Sequence, residues 1–271
     1  MVKVLIKGAG DLASGVAMAF HQSGFLVLMT EVEQPTVIRR SVAFANSIYE
    51  GKMEIEGVTG VHVTEDNYSN YLEKGNVGII IDPLGGIKDK YKPDVIVDAI
   101  LAKKNIGTKI GDAPIVIGCG PGFFVGKDCH IVIETKRGHY LGKIIGKGSA
   151  IENSGIPGII EGRGIERVLY SPIAGKVEHL KKLGDIVEQD DIILKVDGVP
   201  VKSPFKGVLR GLIVNGMIVP EAMKIGDVDP RLYPEYCFTI SEKAMAIGRA
   251  AVEGTLLLGK QKGLFGVMKY E

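Results

Sequence analysis

The first fifteen residues constrain the fold of this chain more than any other stretch. Residues 2–6 are a short run of aliphatic and β-branched residues, typical of a parallel strand that is buried on both faces. The run ends at Gly8 and Gly10, and small residues recur at Ala13 and Gly15 as a helical pattern begins. This order of strand, glycine turn and helix predicts an anion site, because the first N–H groups of a helix have no internal partner.

A second apolar run, residues 25–30, ends in Glu31. The dinucleotide-binding fingerprint places a carboxylate for a ribose hydroxyl at such a strand end, about twenty residues after its glycines. We therefore predict a Rossmann-like parallel sheet that binds a nucleotide through Gly8, Gly10 and Glu31. Asp11 suits the helix dipole but would repel a pyrophosphate, which leaves a nucleoside or a differently placed ligand as alternatives. The plainer alternative is a tightly packed turn with a solvated Glu31.

Length and charge limit the kind of protein. The chain has 271 residues, enough for two domains, and its 33 basic and 32 acidic residues give a net charge of +1. Neither nucleic acid nor an anionic membrane is therefore expected as a partner. No signal peptide or membrane span is indicated, and three cysteines without a C-x-x-C pair fit reduced thiols, so we expect a cytoplasmic chain without a metal site.

Further strand ends carry candidate ligand contacts. Apolar runs end in Asp82 and Asp98, and another run precedes the glycine-rich loop at residues 118–123. Ligands of open parallel sheets lie outside the carboxyl ends of the strands. We therefore expect these residues to line one crevice with Gly8 and Gly10.

The glycine-rich loop has its own possible role. Gly120, Pro121 and Gly122 could bring backbone N–H groups against a phosphate, and an ordinary multiple turn is the alternative. Cys119 in the same loop could act as a nucleophile, although the sequence shows no base beside it.

Two other charged segments are candidates for ligand contacts. Residues 34–45 have the pattern of a helix, on which Arg39 and Arg40 could clamp a phosphate or simply form a solvated face. The polar loop that contains Glu134 and His139 could supply an acid, a base or a phosphate contact, or be a hairpin turn.

The second half of the chain contains an internal repeat. Residues 171–197 align with residues 203–229 at a shift of 32, with ten identities in 27 ungapped positions. We predict two small β units that form a quasi-twofold barrel, which resembles the barrel-sandwich hybrid of biotinyl and lipoyl domains. No lysine stands at the carrier position between the halves; Lys195 keeps a carrier domain open as an alternative.

The predicted fold class is thus a Rossmann-like parallel sheet domain plus a small β barrel-sandwich hybrid, closed by a C-terminal helix. Thr239 and Glu242 predict a capping box for a helix at residues 240–258 that packs back on the first domain. The expected divisions are a nucleotide-binding domain at 1–145, a glycine-rich linker at 146–168, the β domain at 169–231 and the C-terminal segment at 232–271.

Several motifs resemble those of one bacterial and archaeal family, the YqeB-type accessory proteins of the selenium-dependent molybdenum hydroxylase system. The matching residues run over essentially the whole chain: Gly8–Gly15, Met29–Glu31, Pro35–Arg40, Tyr49–Gly51, Asp112–Pro114, Gly120–Phe123, Ile133–Thr135, Arg137–His139 and Lys224–Arg231. The first domain is also similar to that of the accessory proteins of xanthine dehydrogenase. The resemblance implies a role in maturing or inserting a selenium-containing molybdenum cofactor beside a partner molybdenum hydroxylase, and it supplies no catalytic residues.

We therefore expect an accessory protein that binds a small nucleotide-like ligand, either a nucleotide or a molybdopterin dinucleotide. An NAD(P)-dependent oxidoreductase is the first alternative, although no Tyr-x-x-x-Lys pair is visible and Asp11 is badly placed for a pyrophosphate. A non-catalytic binding scaffold is the second alternative, and a homo-oligomer is left open.

Overall fold

The computed structural model describes residues 1–153, 155 and 158–264. The first half of the chain forms one nine-stranded sheet, in the order β3-β4-β5-β2-β1-β6-β7-β8-β9. Its elements are β1 (Lys3–Lys7), α1 (Asp11–Gln22), β2 (Leu26–Glu31), α2 (Ser47–Glu50), β3 (Lys52–Ile55), β4 (Val58–Val63), α3 (Tyr68–Glu73), β5 (Val77–Ile81), α4 (Lys88–Tyr91), β6 (Val95–Asp98), β7 (Ile115–Cys119), β8 (Ile131–Ile133) and β9 (Ile144–Ile145).

The sheet is mixed. Its seven inner strands, from β4 to β8 in spatial order, pair in parallel. The two edge strands β3 and β9 pair antiparallel to their neighbours. The inner strands are short and almost wholly apolar, as strands buried on both faces must be.

The predicted fold class is wrong. The structure is a large mixed sheet with few helices, and it does not pair a Rossmann-like parallel sheet with a barrel-sandwich hybrid. Residues 99–114 and 120–130, which connect β6 to β7 and β7 to β8, contain no helix, whereas a wound parallel sheet needs crossover helices. The second segment has three glycines in eleven residues, which disfavours helix. The unit of β1, α1 and β2 has the predicted local form, and the apolar runs that precede Asp82, Asp98 and the glycine-rich loop form the parallel strands β5, β6 and β7.

The repeat region forms two four-stranded sheets, β10-β17-β15-β12 and β14-β13-β11-β16, in place of the expected single barrel. Each strand of the first half has a counterpart about 32 residues later, and the shift exchanges the two sheets. The strands are β10 (Val168–Tyr170), β11 (Gly175–His179), β12 (Ile186–Val187), β13 (Ile192–Val196), β14 (Val199–Lys202), β15 (Gly207–Leu212), β16 (Ile218–Val219) and β17 (Lys224–Asp229).

Hydrogen bonds repeat along with the strands. The Ser171 N–H donates to the Met223 carbonyl, and the Ser203 N–H donates to the Asp191 carbonyl, both at 2.8 Å. The buried Ser171 hydroxyl donates to the carbonyl of Ile173, and the Ser203 hydroxyl makes the equivalent bond two residues ahead. The two halves therefore share their turn chemistry as well as their residues.

Helix α5 (Glu242–Lys262) packs on the first sheet beside α1. Gly15 of α1 lies against Ala244, and Gly248 lies against Gly15 and Ala19, so the two helices run in parallel with their N-termini at the same end. The helix begins later than the capping box predicted. Its N-cap is Ser241, whose hydroxyl accepts the N–H of Ala244 at 3.2 Å.

The core of the first half has two layers. One lies between the sheet and the helices α1 and α5, and the other lies on the opposite face under α3, α4 and the connecting loops. Within the described residues, no helix combines the length and the apolar character needed to cross a bilayer. Residues 154, 156 and 157 of the predicted linker, and residues 265–271 of the predicted C-terminal segment, lie outside the described residues; the domain limits stay a prediction.

Candidate functional site

A cavity of about 490 Å³ lies at the carboxyl ends of β1, β2 and β6, against the N-terminus of α1. Because β2 and β6 lie on opposite sides of β1, the strand order reverses here, which is where open α/β sheets bind ligands. Four predicted ligand residues line the cavity: Gly8, Gly10, Asp11 and Glu31.

The glycine turn at the cavity floor is held by hydrogen bonds. Gly8 has φ +91°, and a Cβ there would lie 3.1 Å from the Cα of Ile100, so glycine is required. Glu31 accepts the N–H of Ala9 through Oε2 and the N–H of Val32 through Oε1, each at 2.8 Å. Since a carboxylate has about four acceptor positions, Glu31 retains capacity for hydroxyl groups of a ligand.

The N-terminus of α1 opens into this cavity. Gly10 is the N-cap, makes no side-chain cap and leaves open space around its Cα. Among the described residues, no hydrogen bond reaches the N–H groups of Leu12 or Ala13, which are the donors that an anion at a helix end accepts.

Arg39 is not available to bind a phosphate, because its guanidinium is already ion-paired. Its Nη1 donates to Oδ2 of Asp11 at 2.8 Å, and its side chain is about one-tenth exposed. The ion pair balances the negative charge of Asp11 in the first turn of α1, which would otherwise repel a bound phosphate. Arg39 lies in irregular backbone and short 3-10 turns, because the helix expected over residues 34–45 does not form.

Arg40 lies outside the cavity as well. Its Nε donates to the carbonyl of Leu212 at 2.8 Å, which ties the first sheet to the repeat region. Next to it, the Tyr49 hydroxyl donates to the carbonyl of Pro35 on the cavity wall. Burial raises the pKa of Tyr49, and the nearby Glu31 carboxylate raises it further, so this phenol remains a neutral donor.

The two aspartates at strand ends, Asp82 and Asp98, form hydrogen bonds within the loops that follow their strands. Asp82 accepts the N–H of Ile87 at 2.7 Å, although the following Pro83 does line the cavity. Asp98 is buried, accepts the hydroxyl of Thr108 at 2.6 Å and lies 3.7 Å from the amine of Lys7. Neither carboxylate is brought to the ligand cavity.

The glycine-rich loop lies behind the cavity wall. A Cβ on Gly120 would lie 3.4 Å from Leu101, which lines the cavity, and Gly122 closely approaches the backbone of Lys104. Pro121 lines a different cavity of about 410 Å³. Cys119 is buried, and burial raises the pKa of its thiol well above the usual range, which disfavours a nucleophilic role.

Glu134 and His139 also lie away from the first cavity. Buried Glu134 accepts the N–H groups of Lys136 at 2.7 Å and Ile151 at 2.8 Å, so it holds its loop. The exposed His139 ring stacks edge-on against Tyr140.

Sequence reasoning missed most of the cavity wall. Thr30 and Val32 flank Glu31, and Ile100 and Leu101 follow the strand that ends in Asp98. Their positions at strand ends could have identified these four residues as part of the cavity wall. Ile106 carried no such signal. The lining residues that were not predicted as ligand contacts are Leu12, Ala13, Thr30, Val32, Pro35, Thr36, Val37, Pro83, Ala99, Ile100, Leu101 and Ile106.

The cavity combines apolar walls with two carboxylates, and no lysine or arginine is among its described lining residues. Its anion-binding capacity therefore comes from backbone N–H groups and the helix end rather than from basic side chains. Such a site suits a ligand that has an apolar ring system, hydroxyl groups for Glu31 and a modest negative charge.

Comparison with known proteins finds one informative relative. The chain is a homologue of a protein of Escherichia coli K12 described as uncharacterized protein YqeB, with 46% identity over 259 residues, or 95% of this chain. The chain spans about half the length of that relative, 48%. No protein-family description matches the chain.

Solved structures give only weak matches. An aspartoacylase family protein of Mesorhizobium loti is 12% identical, with 84% of each chain covered and a TM-score of 0.27. A succinylglutamate desuccinylase of a Silicibacter species is 11% identical over the same shares, with a TM-score of 0.26. The product-bound ectoine utilization protein EutE of Ruegeria pomeroyi is 10% identical, covers 83% of this chain and 56% of that chain, and has a TM-score of 0.23. Scores this low carry no argument about activity.

Proposed function

We propose that this homologue of YqeB binds a nucleotide or a molybdopterin dinucleotide in the cavity at the N-terminus of α1, and serves as an accessory protein in the maturation of a selenium-dependent molybdenum hydroxylase. The binding part rests on the geometry of the cavity. The maturation part rests on the resemblance of motifs along the chain.

One observation carries the binding proposal: the N–H groups of Leu12 and Ala13, which no described group accepts, and the Glu31 carboxylate face the same cavity. The helix end supplies donors for a phosphate, and the carboxylate supplies acceptors for hydroxyl groups. The volume of about 490 Å³ falls in the range of small-molecule sites. The Asp11–Arg39 pair removes the main electrostatic objection to an anion at this turn.

The test is a thermal-shift panel with NAD, NADP, S-adenosylmethionine, ATP, CTP and molybdenum-cofactor dinucleotides, each at fixed excess. A ligand at a hundredfold its dissociation constant adds about 2.7 kcal/mol to the free energy of unfolding. The panel is repeated with Gly10→Asp. Aspartate is a favoured N-cap, so this variant should fold, but its carboxylate occupies the N–H groups that a phosphate would use.

Gly10→Ala is the matched control, because a Cβ at Gly10 meets no atom within 4 Å and the N-cap backbone is extended, with φ −68° and ψ −178°. A shift with CTP or a pterin dinucleotide that Gly10→Ala keeps and Gly10→Asp loses supports the proposal. A shift with NAD or NADP alone, followed by detectable hydride transfer, contradicts the maturation role in favour of an oxidoreductase. No shift at all contradicts it in favour of a scaffold.

The maturation role has a separate test. Tagged chain should co-purify with a molybdenum hydroxylase from a cell that makes both proteins, and the Gly10→Asp variant should reduce the activity of that hydroxylase. An unchanged hydroxylase activity in a strain that lacks this chain would contradict the role.

A further inference from the structure

We infer that a second anion site, for the phosphate group of a small phosphate monoester, lies in the cavity between the repeat region and the N-terminus of α5. The cavity measures about 470 Å³ and is lined by Arg137, Arg210 and Arg231, together with Tyr236 and Ser241. It is independent of the nucleotide cavity proposed above.

Arg210 is the central observation. Its side chain is 8% exposed, and among the described residues it forms one ion pair, from Nη1 to Oδ2 of Asp229 at 3.1 Å. The buried Nε has no hydrogen-bond partner within the described part of the chain. A guanidinium has five N–H donors, so most of its donor capacity is unused. Burial lowers the pKa of Arg210, and this cost of desolvation is what a bound anion would offset.

The positive charge around Arg210 is only partly balanced. Asp229 is shared with Arg231, whose Nη2 lies 2.6 Å from the same Oδ2 atom, so two guanidinium groups share this carboxylate. The other carboxylate near Arg210, Asp227, is ion-paired with Arg167 at 3.1 Å. Arg231 is also held over the ring of Tyr236 at 4.8 Å. The Nε and Nη2 edge of Arg231 is occupied by Asp229. The donors left for a phosphate are Nη1 of Arg231 and Nη2 of Arg210, which have no acceptor among the described residues.

The other charges at the cavity are accounted for. Arg137 is ion-paired with Glu242, which balances both. Glu161 lines the cavity, is exposed and forms no ion pair among the described residues. Its charge contributes, after that of Asp229, to raising the pKa of Arg231, but its exposure to solvent screens its repulsion of a bound anion.

The N-terminus of α5 adds a second source of positive potential. Ser241 accepts the N–H of Ala244, and no described group accepts the N–H of Glu242 or Lys243. In a 21-residue helix these N–H groups carry the positive end of the dipole. Ile159, Ile160 and Met245 form the apolar part of the wall, which is why the phosphate of an organic ester is favoured over free phosphate.

Arg39 separates this cavity from the first one. Its Nη1 binds Asp11 in the first cavity, and its Nη2 donates to the carbonyls of Tyr236 at 3.1 Å and Thr239 at 3.3 Å, on the wall of the second. The two sites can therefore be tested separately.

The experiment is calorimetric titration of the full chain with phenyl phosphate and with inorganic phosphate. We expect saturable binding that is tighter for phenyl phosphate, and about tenfold weaker after Arg210→Gln, because a charge-assisted hydrogen bond is lost. Glu161→Gln should bind more tightly. Arg249→Gln is the matched control, since it removes the same charge from an exposed position on α5 outside the cavity, and it should bind as the original chain does.

Gly10→Asp, which alters the first cavity, should leave phenyl phosphate binding unchanged. If Arg210→Gln does not fold, the opposite shifts of Glu161→Gln and Arg231→Gln decide the question. The site is disproved if neither probe binds saturably, if Arg249→Gln weakens binding as much as Arg210→Gln, or if Gly10→Asp abolishes it. Equal affinity for the two probes would overturn the assignment to an ester.

Discussion

Arg39 donates to Oδ2 of Asp11 at 2.8 Å while its other terminal nitrogen reaches the carbonyls of Tyr236 and Thr239. One buried side chain thus links the first turn of α1 to the segment that leads into α5. The pair neutralises the carboxylate beside the candidate nucleotide cavity and closes the wall between the two cavities. Its role is to position the helix N-termini, rather than to contact a ligand.

Arg39→Met is expected to lower the free energy of unfolding by about 2–4 kcal/mol, because it leaves the Asp11 carboxylate and two carbonyls without a donor. Asp11→Asn should cost less, since a neutral amide remains in place. Urea denaturation of both single variants and the double variant measures this. Together these variants form a double-mutant cycle. A coupling energy near zero between Arg39 and Asp11 would show that the two side chains do not interact as described.

Glu31→Gln is expected to cost about 1–2 kcal/mol of stability, because the NH2 group that replaces one carboxylate oxygen cannot accept the N–H group of Ala9 or Val32 that this oxygen accepted. Ligands with a free ribose diol should also bind about tenfold more weakly in the thermal-shift panel. Glu33→Gln, an exposed neighbour, is the control and should change neither quantity. Unchanged stability of Glu31→Gln would show that the carboxylate does not hold the turn.

Gly15→Ala should destabilise the chain by about 1–3 kcal/mol through overpacking, because its new Cβ would lie 2.6 Å from the Cβ of Ala244. Gly248→Ala should act similarly, since its Cβ would collide with the carbonyl of Gly15. Gly111→Ala, where a Cβ meets nothing within 4 Å, is the control for chemical denaturation. If both helix variants are as stable as the control, α1 and α5 do not pack in this way.

Ser171→Ala and Ser203→Ala should lower the free energy of unfolding by similar amounts, about 1 kcal/mol each, because each removes the hydroxyl donor of an equivalent buried turn. Differential scanning calorimetry of the two variants measures this. Ser69→Ala, on the exposed side of a helix, should have little effect. A large inequality between the two variants would mean that the repeat is not symmetric in energy.

Acidification below about pH 6.5 should destabilise the chain through His130. Its Nδ1 accepts the Val116 N–H at 3.0 Å; burial, followed by the nearby Lys262 charge, lowers its pKa from 6.5. The unfolded state then binds a proton that the folded state does not, so stability is full above the unfolded pKa and falls as the pH drops toward the folded pKa.

Urea midpoints at about pH 7.5 and 5.5 measure this effect. His130→Asn keeps an acceptor for Val116 and should lose less stability on acidification than the original chain. Burial also lowers the pKa of the half-buried His179, which contributes a loss of stability on acidification that both proteins retain. The exposed His139→Asn variant should behave as the original chain does, and an equal acid response of His130→Asn would contradict the prediction.

Some features of this protein follow from its sequence alone. The glycine turn at Gly8 and Gly10, the helix after it and the strand that ends in Glu31 are encoded by neighbouring residues, through backbone stereochemistry and hydrophobic period. The internal repeat also follows from the sequence alone, because the same turn residues at the same spacing form the same local hydrogen bonds. The hydroxyl groups of Ser171 and Ser203 show this.

Only the tertiary structure decided the rest. That Arg39 binds Asp11, and that Arg210 is buried with an Nε–H for which no described group is an acceptor, depend on contacts between segments that local sequence does not bring together. Such contacts are selected by packing and charge neutralisation in the folded core, and a period of two or 3.6 residues carries no information about them.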